Sequence, residues 1–353
     1  MIKTILVLAS MLVLAVAVSS CGGSSPVAPI GDEPERILGI INPSLVPQGI
    51  IAYTRALIDP DNPIGYNKEL FLMLSNGANQ IRITNNPADD DYASFSPKGL
   101  TLAFVSNRNS DPWGNHDVYR MITPSNILQL THEAWQFNSS ATDWGPGFIT
   151  AAQLNTLIGA PFDVVRVTRL SLNGISETWI DTGQIASYEP CLSKDGRYLF
   201  FAARPAGATY FGSMELYQKD LLENTPAVQL TSFGKDPDNM VFTTAPAMQP
   251  DGVWLAFQTT LWDGNWEIGK VNLASMAPVL IPIRVTENKA DDLQPTWDPS
   301  GNWIAFCTNR DGNYEIYKQY VGSDTPPGGK TLVRLTKTPE NESNPDWSPS
   351  YVK

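Results

Sequence analysis

Histidine is nearly absent from this sequence, and basic residues never cluster. The chain of 353 residues contains two histidines, His116 and His132, and 24 lysines and arginines against 36 acidic residues, which leaves a net charge of −12. Two histidines cannot supply a metal centre that gathers several imidazoles around one ion. Nucleic-acid binding needs Lys and Arg concentrated on one face. The composition therefore argues against both function classes.

Charged residues are scarce in general, and a hydrolase motif is missing. They make up 17% of the chain, whereas hydrophobic residues make up 42% and aromatic residues 10%. This balance argues against long disorder and against a coiled coil. The G-x-S-x-G pattern of a nucleophile elbow does not occur. We therefore predict a folded, aromatic-rich protein that is not an enzyme and needs no cofactor.

The longest apolar run lies at the N terminus, from Ile5 to Val18, just after Lys3. A short positive start followed by an apolar core is typical of an export signal. The run is too short for a comfortable membrane span. We therefore predict a cleaved signal peptide over residues 1–20.

The end of this run, Val18-Ser-Ser-Cys21, resembles a bacterial lipobox, in which the cysteine is lipidated and becomes the first mature residue. An ordinary signal with a chance cysteine is the alternative. We predict lipidation at Cys21, a flexible linker over 21–46 and a folded domain over 47–350. Gly22 follows the cysteine instead of an aspartate, which favours the outer membrane of a bacterial envelope and leaves open which side the protein faces.

The other two cysteines, Cys191 and Cys307, fall in different repeat units, described next. A disulfide is one interpretation for an exported protein. Because an unmodified cysteine behaves as a small apolar residue in a strand interior, we predict two buried free thiols.

One sequence unit recurs along the chain. The stretch 294–319 has counterparts at 245–270, 189–205 and 93–108, and a worn copy lies at 142–151. Each clear copy has a turn glycine, and these are Gly99, Gly196, Gly252 and Gly301. Units close on a hydrophobic-Thr pair, at Ile81–Thr84, Leu128–Thr131, Val228–Thr231, Ile283–Thr286 and Val333–Thr336. Several short strands per unit at a spacing of 49 to 56 residues indicate β-propeller blades.

The two ends of the repeat region complete each other. Residues 49–84 supply the later strands of a blade without its first strand, and residues 344–350 supply a first strand alone. We therefore predict an all-β fold, a six-bladed β-propeller of four-stranded antiparallel blades, closed by pairing of the N- and C-terminal strands. Such closure leaves no long open edge.

The segments "WDPSG", "WIAFCTNRDGNYEIY" and "PDWSPS" resemble the WD40-like repeat of the TolB family, which prolyl-oligopeptidase-type propellers share. The resemblance covers about residues 47–350. It implies that the Pro-x-Trp strand lies beside the central channel and that the protein is an interaction scaffold. The α/β domain that precedes the propeller in TolB has no counterpart in the polar segment 22–47, and the Gly-His dipeptide of WD repeats is absent.

One repeat position carries a large apolar residue in five units. We predict that these residues pack between blades. They are Phe95, Leu192, Met248, Trp297 and Trp347.

The connections between blades are acidic. We predict that Asp91, Asp238 and Asp292 gather at a channel mouth, where they could hold Ca²⁺ or meet a basic envelope protein. The alternative is a solvated rim that keeps the protein soluble. No EF-hand loop supports a calcium site.

Four tryptophans fall in loops of the same predicted face: Trp113, Trp135, Trp262 and Trp266. Exposed aromatics next to Asp and Asn suit protein contacts or stacking on sugar rings. The alternative is that these tryptophans only pack within their own loops. We predict a protein-interaction scaffold acting through this acidic, loop-rich face, with a glycan-binding module as the second hypothesis and a lyase or hydrolase as the least favoured.

Replacing the lipobox cysteine tests the anchor. The Cys21→Ser variant should leave the membrane fraction or remain unprocessed, because the acyl chains that hold the protein are lost. Fractionation and palmitate labelling of wild type and variant check this. Equal membrane association and equal labelling of the two proteins would contradict the prediction.

Overall fold

The computed structural model describes residues 49–349 apart from short segments. The segments left out are 62–64, 100, 110–115, 132–139, 156–163, 176, 185–186, 206–211, 224, 235–239, 275–279, 327–328 and 330. The predicted signal peptide, Cys21 and the linker lie outside the described residues. Over the described ranges, no helix is long and apolar enough to cross a membrane.

The described residues form six four-stranded sheets, which we number as blades and give from the innermost strand outward. Blade 1 contains β24 (Asn341–Trp347), β1 (Ile50–Ile58), β2 (Tyr66–Leu74) and β3 (Ile81–Arg82). Blade 2 contains β4 (Asp90–Phe95), β5 (Leu102–Ser106), β6 (Asp117–Thr123) and β7 (Asn126–Gln129). Blade 3 contains β8 (Ser140–Gly145), β9 (Phe148–Asn155), β10 (Val164–Ser171) and β11 (Glu177–Ile180).

The second half of the ring repeats the arrangement. Blade 4 contains β12 (Ser187–Leu192), β13 (Tyr198–Ala203), β14 (Glu215–Asp220) and β15 (Val228–Gln229). Blade 5 contains β16 (Thr243–Met248), β17 (Trp254–Thr259), β18 (Glu267–Asn272) and β19 (Ile283–Arg284). Blade 6 contains β20 (Asp292–Trp297), β21 (Trp303–Thr308), β22 (Glu315–Tyr320) and β23 (Leu332–Arg334). All described pairings inside the blades are antiparallel, so the predicted fold is confirmed.

Blade 1 is the composite blade that the sequence predicts. Strand β24 pairs with β1, with Trp347 opposite Ile51. Just beyond the strand, the Ile50 amide donates to Ser348 Oγ over 2.9 Å, and the Ser348 amide donates to the Ile50 carbonyl over 2.8 Å. The two ends of the repeat region therefore close the ring through a backbone ladder.

The second strands of the blades are largely buried. Every residue of β5 and of β21 is buried, because each blade packs against a neighbour on both faces. The hairpins that precede these strands turn on glycines with positive φ, for example Gly99 at 67° and Gly252 at 78°. The predicted hairpin turns are confirmed, since only glycine adopts this conformation at little cost.

The repeated large apolar residues pack between blades, as predicted. Trp297 lies in a cluster with Ala256 and Ile268 of blade 5, and Trp347 lies in a cluster with Trp303 and Ile316 of blade 6. Phe95, Leu192, Trp297 and Trp347 are each at most 5% exposed. The two described cysteines are free and buried, which confirms that prediction.

The threonine that ends each repeat has a hydrogen-bonding role. In blade 5, Thr286 Oγ1 accepts the Ile268 amide over 2.8 Å and donates to Glu267 Oε2 over 2.6 Å. Arg284, two residues before the threonine, donates to the same carboxylate over 3.1 Å. The hydrophobic-Thr pair therefore ties the outermost strand to a buried acid at the start of the third strand.

Truncating Trp347 tests the closure. The Trp347→Ala variant should lose about 3–5 kcal/mol of unfolding free energy, because a buried indole is replaced by a cavity between blades. Denaturant unfolding measures the loss. Trp179→Ala is the matched control, since Trp179 is 49% exposed on the outermost strand of blade 3 and should cost far less. Equal losses in the two variants would contradict the packing role.

Candidate functional site in the central channel

The innermost strands of the six blades contact one another in sequence and surround a central cavity of about 460 Å³. The cavity extends to the tight turns that join the first and second strands of blades 2, 4, 5 and 6. Residues of these turns at the cavity wall include Pro97, Lys194, Pro250 and Pro299, and Pro349, which follows β24, lies at the same end. The cavity therefore reaches the face opposite the inter-blade loops that the sequence favours.

Each innermost strand carries a bulge where it lines the cavity. The register between first and second strands shifts in all six blades. At the bulge, five residues other than glycine have φ between 49° and 56°: Tyr92, Glu189, Ala245, Gln294 and Asn344. Such a conformation costs on the order of 1 kcal/mol and persists only where the surroundings enforce it. All five residues line the cavity.

Two residues after the bulge in four of the blades, a side chain accepts a backbone amide of the next blade. Asp143 Oδ2 of blade 3 accepts the Leu192 amide of blade 4 over 2.6 Å. Asp346 Oδ2 of blade 1 accepts the Phe95 amide of blade 2 over 2.6 Å. Cys191 and Thr296 take the same role in blades 4 and 6. We call these side chains the stitch residues: Asp143, Cys191, Thr296 and Asp346.

Three carboxyl groups of the cavity wall have no basic partner in the described part of the chain. Burial raises the pKa of Asp143 to about 6 and that of Glu189 above its usual range. Burial, with the nearby charge of Asp143, raises the pKa of Asp346 to about 7. Backbone amides offset part of this effect by hydrogen bonding, but no Lys or Arg does. We call Asp143, Glu189 and Asp346 the channel acids.

Solved structures share this architecture at low sequence identity. TolB from Acinetobacter baumannii is 17% identical, with a TM-score of 0.65 over 85% of this chain and 67% of that one. A putative TolB from Agrobacterium tumefaciens is 14% identical, with a TM-score of 0.57 over 81% of this chain and 89% of that one. The chain has the TolB propeller fold.

The same fold occurs in other proteins. Hydrazine synthase of Kuenenia stuttgartiensis matches 93% of this chain with a TM-score of 0.64 and 14% identity, although the match spans 51% of that chain. No family model matches the sequence. At these sequence identities, the structural similarity to TolB establishes the architecture of this chain alone. Function depends on the site.

Two of the predicted rim acids are buried and hydrogen-bonded to other side chains. Asp91 is 2% exposed, and it accepts hydrogen bonds from Thr54, Lys68 and Asn344 over 2.6–2.7 Å. Asp292 is fully buried and forms two hydrogen bonds with Arg310, at 2.9 and 3.1 Å. Asp238 lies outside the described residues. The geometry gives Asp91 and Asp292 structural partners, and a role in binding stays a prediction.

A calcium site has no further support from the described side chains. Within the described ranges, no group of three or more His, Cys, Asp or Glu residues is arranged to hold a metal ion. Calcium needs six to eight oxygen ligands, and the oxygens of Asp91 and Asp292 already accept protein hydrogen bonds. Calcium binding at Asp91, Asp238 and Asp292 stays a prediction.

The two described loop tryptophans pack inside their own blade. The Arg284 guanidinium lies 5.5 Å from the ring centroid of Trp262. Trp266 packs against Phe242 with 6.4 Å between ring centroids. Both side chains are half-buried. Trp113 and Trp135 lie outside the described residues, so the aromatic contact surface stays a prediction.

Sequence reasoning missed the channel acids, although a signal is present. Asp143 and Asp346 each stand directly before a tryptophan, in "TDW" and "PDW", at a repeat position where other blades have Ser94, Cys191 or Thr296. A charged residue at a position that is otherwise small and uncharged marks an unusual environment. Glu189 carries a weaker signal, because the equivalent bulge residues are Tyr92, Ala245, Gln294 and Asn344.

Replacing one channel acid tests its pKa. A raised carboxyl pKa means that the folded state holds a proton that the unfolded state releases, so stability falls as pH rises from about 4 to about 7. The Asp346→Asn variant should therefore gain stability relative to wild type between pH 5 and pH 8, by about 1 kcal/mol after allowance for solvent in the channel. Urea unfolding at the two pH values measures the gain.

Ser94→Ala is the control, since it changes an uncharged residue at the same repeat position. Its difference from wild type should be the same at pH 5 and pH 8. A pH-independent offset for Asp346→Asn as well would contradict the raised pKa.

Proposed function

We propose that this protein is a lipid-anchored, non-enzymatic scaffold of a bacterial cell envelope, attached to the outer membrane, that binds a cationic segment of a partner protein in its central channel. The resemblance to TolB supports the envelope and interaction parts of the proposal. One observation carries the channel part. Asp143, Glu189 and Asp346 line a cavity and have no basic partner among the described residues.

The charge of the channel suits a cation. Carboxylates surrounded by low-dielectric walls focus the electrostatic potential along the channel. A Lys, an Arg or an N-terminal ammonium group that enters supplies the charge pairing that these acids lack. Entry of a cation also lowers their pKa, so binding should strengthen as pH rises through 6 to 7.

The size of the channel suits a segment of chain. A cavity of about 460 Å³ falls within the usual range for a site that encloses a small ligand. A folded domain cannot enter, whereas one or a few side chains of a flexible segment can. The prolines at this entrance, Pro97, Pro250, Pro299 and Pro349, give it a preformed apolar edge that loses little entropy on binding.

A second hypothesis concerns the face of the ring that carries the inter-blade loops. Glycan binding by Trp113, Trp135, Trp262 and Trp266 stays the alternative. The described pair gives it limited support, because Trp262 and Trp266 already pack against residues of their own blade. A glycan array with the mature domain separates the two hypotheses, since only the loop-face function predicts retention of neutral sugars that depends on Trp262.

Affinity capture from an envelope extract tests the channel function. The triple variant Asp143→Asn, Glu189→Gln, Asp346→Asn should lose the captured protein, with affinity at least about tenfold weaker at pH 7.5, because the attraction to the cationic segment disappears. Binding by wild type should weaken with salt. Isothermal titration with the identified partner measures both effects.

Asp251→Asn is the matched control, because this exposed acid lies in a tight turn of the same face but does not line the cavity. It should bind as wild type does. The function would be assigned to the wrong surface if the triple variant bound normally while Asp91→Asn, Asp238→Asn or Asp292→Asn did not.

A further inference from the structure

Three of the joints between blades contain a glutamate from a third strand and an acid from the next innermost strand. Between blades 1 and 2 these are Glu69 and Asp90, and between blades 5 and 6 they are Glu267 and Asp292. Between blade 6 and blade 1, at the joint that closes the ring, they are Glu315 and Glu342. The six side chains are buried. The first two joints keep their carboxylates apart, and the closing joint does not.

An asparagine separates the acids at the first two joints. The Asn288 amide donates to Glu267 Oε1 over 3.0 Å, and its side chain donates to Asp292 Oδ2 over 2.6 Å. Asn86 bridges Glu69 and Asp90 in the same way, over 2.9 and 2.6 Å. An arginine then forms two hydrogen bonds with each aspartate.

The closing joint has different chemistry at both positions. Thr338 replaces the asparagine, and Glu342 replaces the aspartate. The Thr338 amide donates to Glu315 Oε1 over 2.8 Å, and its hydroxyl donates to Glu342 Oε1 over 2.5 Å. The threonine has no second donor for another carboxylate oxygen. The same threonine therefore holds both carboxylates, and the longer Glu342 side chain brings its carboxylate beside that of Glu315.

Two oxygens at this contact lack donors. Glu315 Oε2 and Glu342 Oε2 are buried and have no hydrogen-bond partner among the described groups. Glu69 Oε2 at the first joint is also without one, but of these three joints the closing joint alone has such an oxygen on both of its acids. Two ionised carboxylates in contact repel each other, and a buried acceptor without a donor is costly. One proton between the carboxyl groups removes both penalties, since a protonated carboxyl donates to its neighbour.

Arginine side chains bind the other oxygen, Oε1, of each glutamate. Arg55 of β1 donates to Glu342 Oε1 over 2.8 Å, and Arg334 of β23 donates to Glu315 Oε1 over 2.9 Å. Arg334 also pairs with Asp311, and Tyr53 is the further titratable group of β1 near Glu342. Burial, followed by the charge of Glu315, raises the pKa of Glu342 to about 7 despite Arg55.

We propose that Glu315 and Glu342 share one proton and act as a pH-sensitive latch at the joint that closes the ring. With the proton, the latch holds the start of β24 against blade 6. Without it, the two carboxylates repel and the joint loosens. The same strand carries Asn344 and Asp346 in the channel wall, so loosening reaches the channel.

The sign of the pH dependence follows from linkage. The folded pair retains a proton that an opened or unfolded chain releases at the ordinary glutamate pKa, so the joint is most stable in mild acid. Loss of one proton lets the opening constant of the joint rise by up to about tenfold per pH unit until pH passes about 7. The latch is therefore closed near pH 5 and loose near pH 8.

Hydrogen exchange and unfolding of Glu342→Gln test the latch. The glutamine keeps the acceptor for Arg55 and Thr338 and offers an N–H group to Glu315 without a titrating proton. In wild type, protection factors of β1 and β24 amides should fall at least about tenfold from pH 5 to pH 8 relative to β13 amides of blade 4. In the variant most of this fall should disappear, leaving only the part that titration of Asp143 and Asp346 contributes. Its melting temperature should exceed that of wild type at pH 8 only.

Two further variants keep the test decisive. The double variant Thr338→Asn, Glu342→Asp restores the chemistry of the other two joints and should reduce the pH-dependent fall as far as Glu342→Gln does. Asp292→Asn weakens the hydrogen bonding to Arg310 at the matched position and should destabilise the protein at both pH values. A fall of wild-type size in Glu342→Gln and in the double variant would overturn the proposal, and so would the absence of any fall in wild type.

Discussion

Closure of the ring is the constraint on which the rest of this structure depends. Six wedges of sheet must meet with no gap, and each wedge contacts its neighbours through the innermost strands. The stitch residues make that contact specific, because a side chain of one blade accepts a backbone amide of the next over about 2.6 Å at Asp143 and at Asp346. An unpaired amide at this depth would cost more than the hydrogen bond contributes.

The same contact produces the chemistry of the channel. To stitch two blades, Asp143 and Asp346 must sit in a narrow space between apolar walls, where water cannot fully solvate a charge. Their pKa values rise for this reason, to about 6 and about 7. A structural device therefore leaves acidic groups without basic partners in the cavity. The proposed function uses these acidic groups, which packing places in the cavity without basic partners among the described residues.

The repeat made most of the fold predictable, down to particular residues. Gly252 predicted a hairpin turn, Trp297 predicted packing between blades, and Trp347 predicted a composite blade, and all three are confirmed. The loop-face acids were harder to interpret. Asp91 and Asp292 look like exposed rim residues in sequence, yet Lys68 and Arg310 lie beside them only after the strands pair. Charge alone does not tell a buried ion pair from a binding site.

The sequence by itself determined the number of blades, the order of strands and the way the ring closes. These follow from local periodicity and from a first blade that lacks one strand, which the end of the repeat region supplies. Only the tertiary structure decided which acids have partners. Among the described residues, Asp292 meets Arg310, whereas Asp346 meets backbone amides and Thr296, and Glu342 lies beside Glu315. These contacts join residues from different strands or different blades, so they exist only after the strands pair and the blades pack. The raised pKa values of Asp346 and Glu342 follow from burial, which no stretch of sequence carries alone.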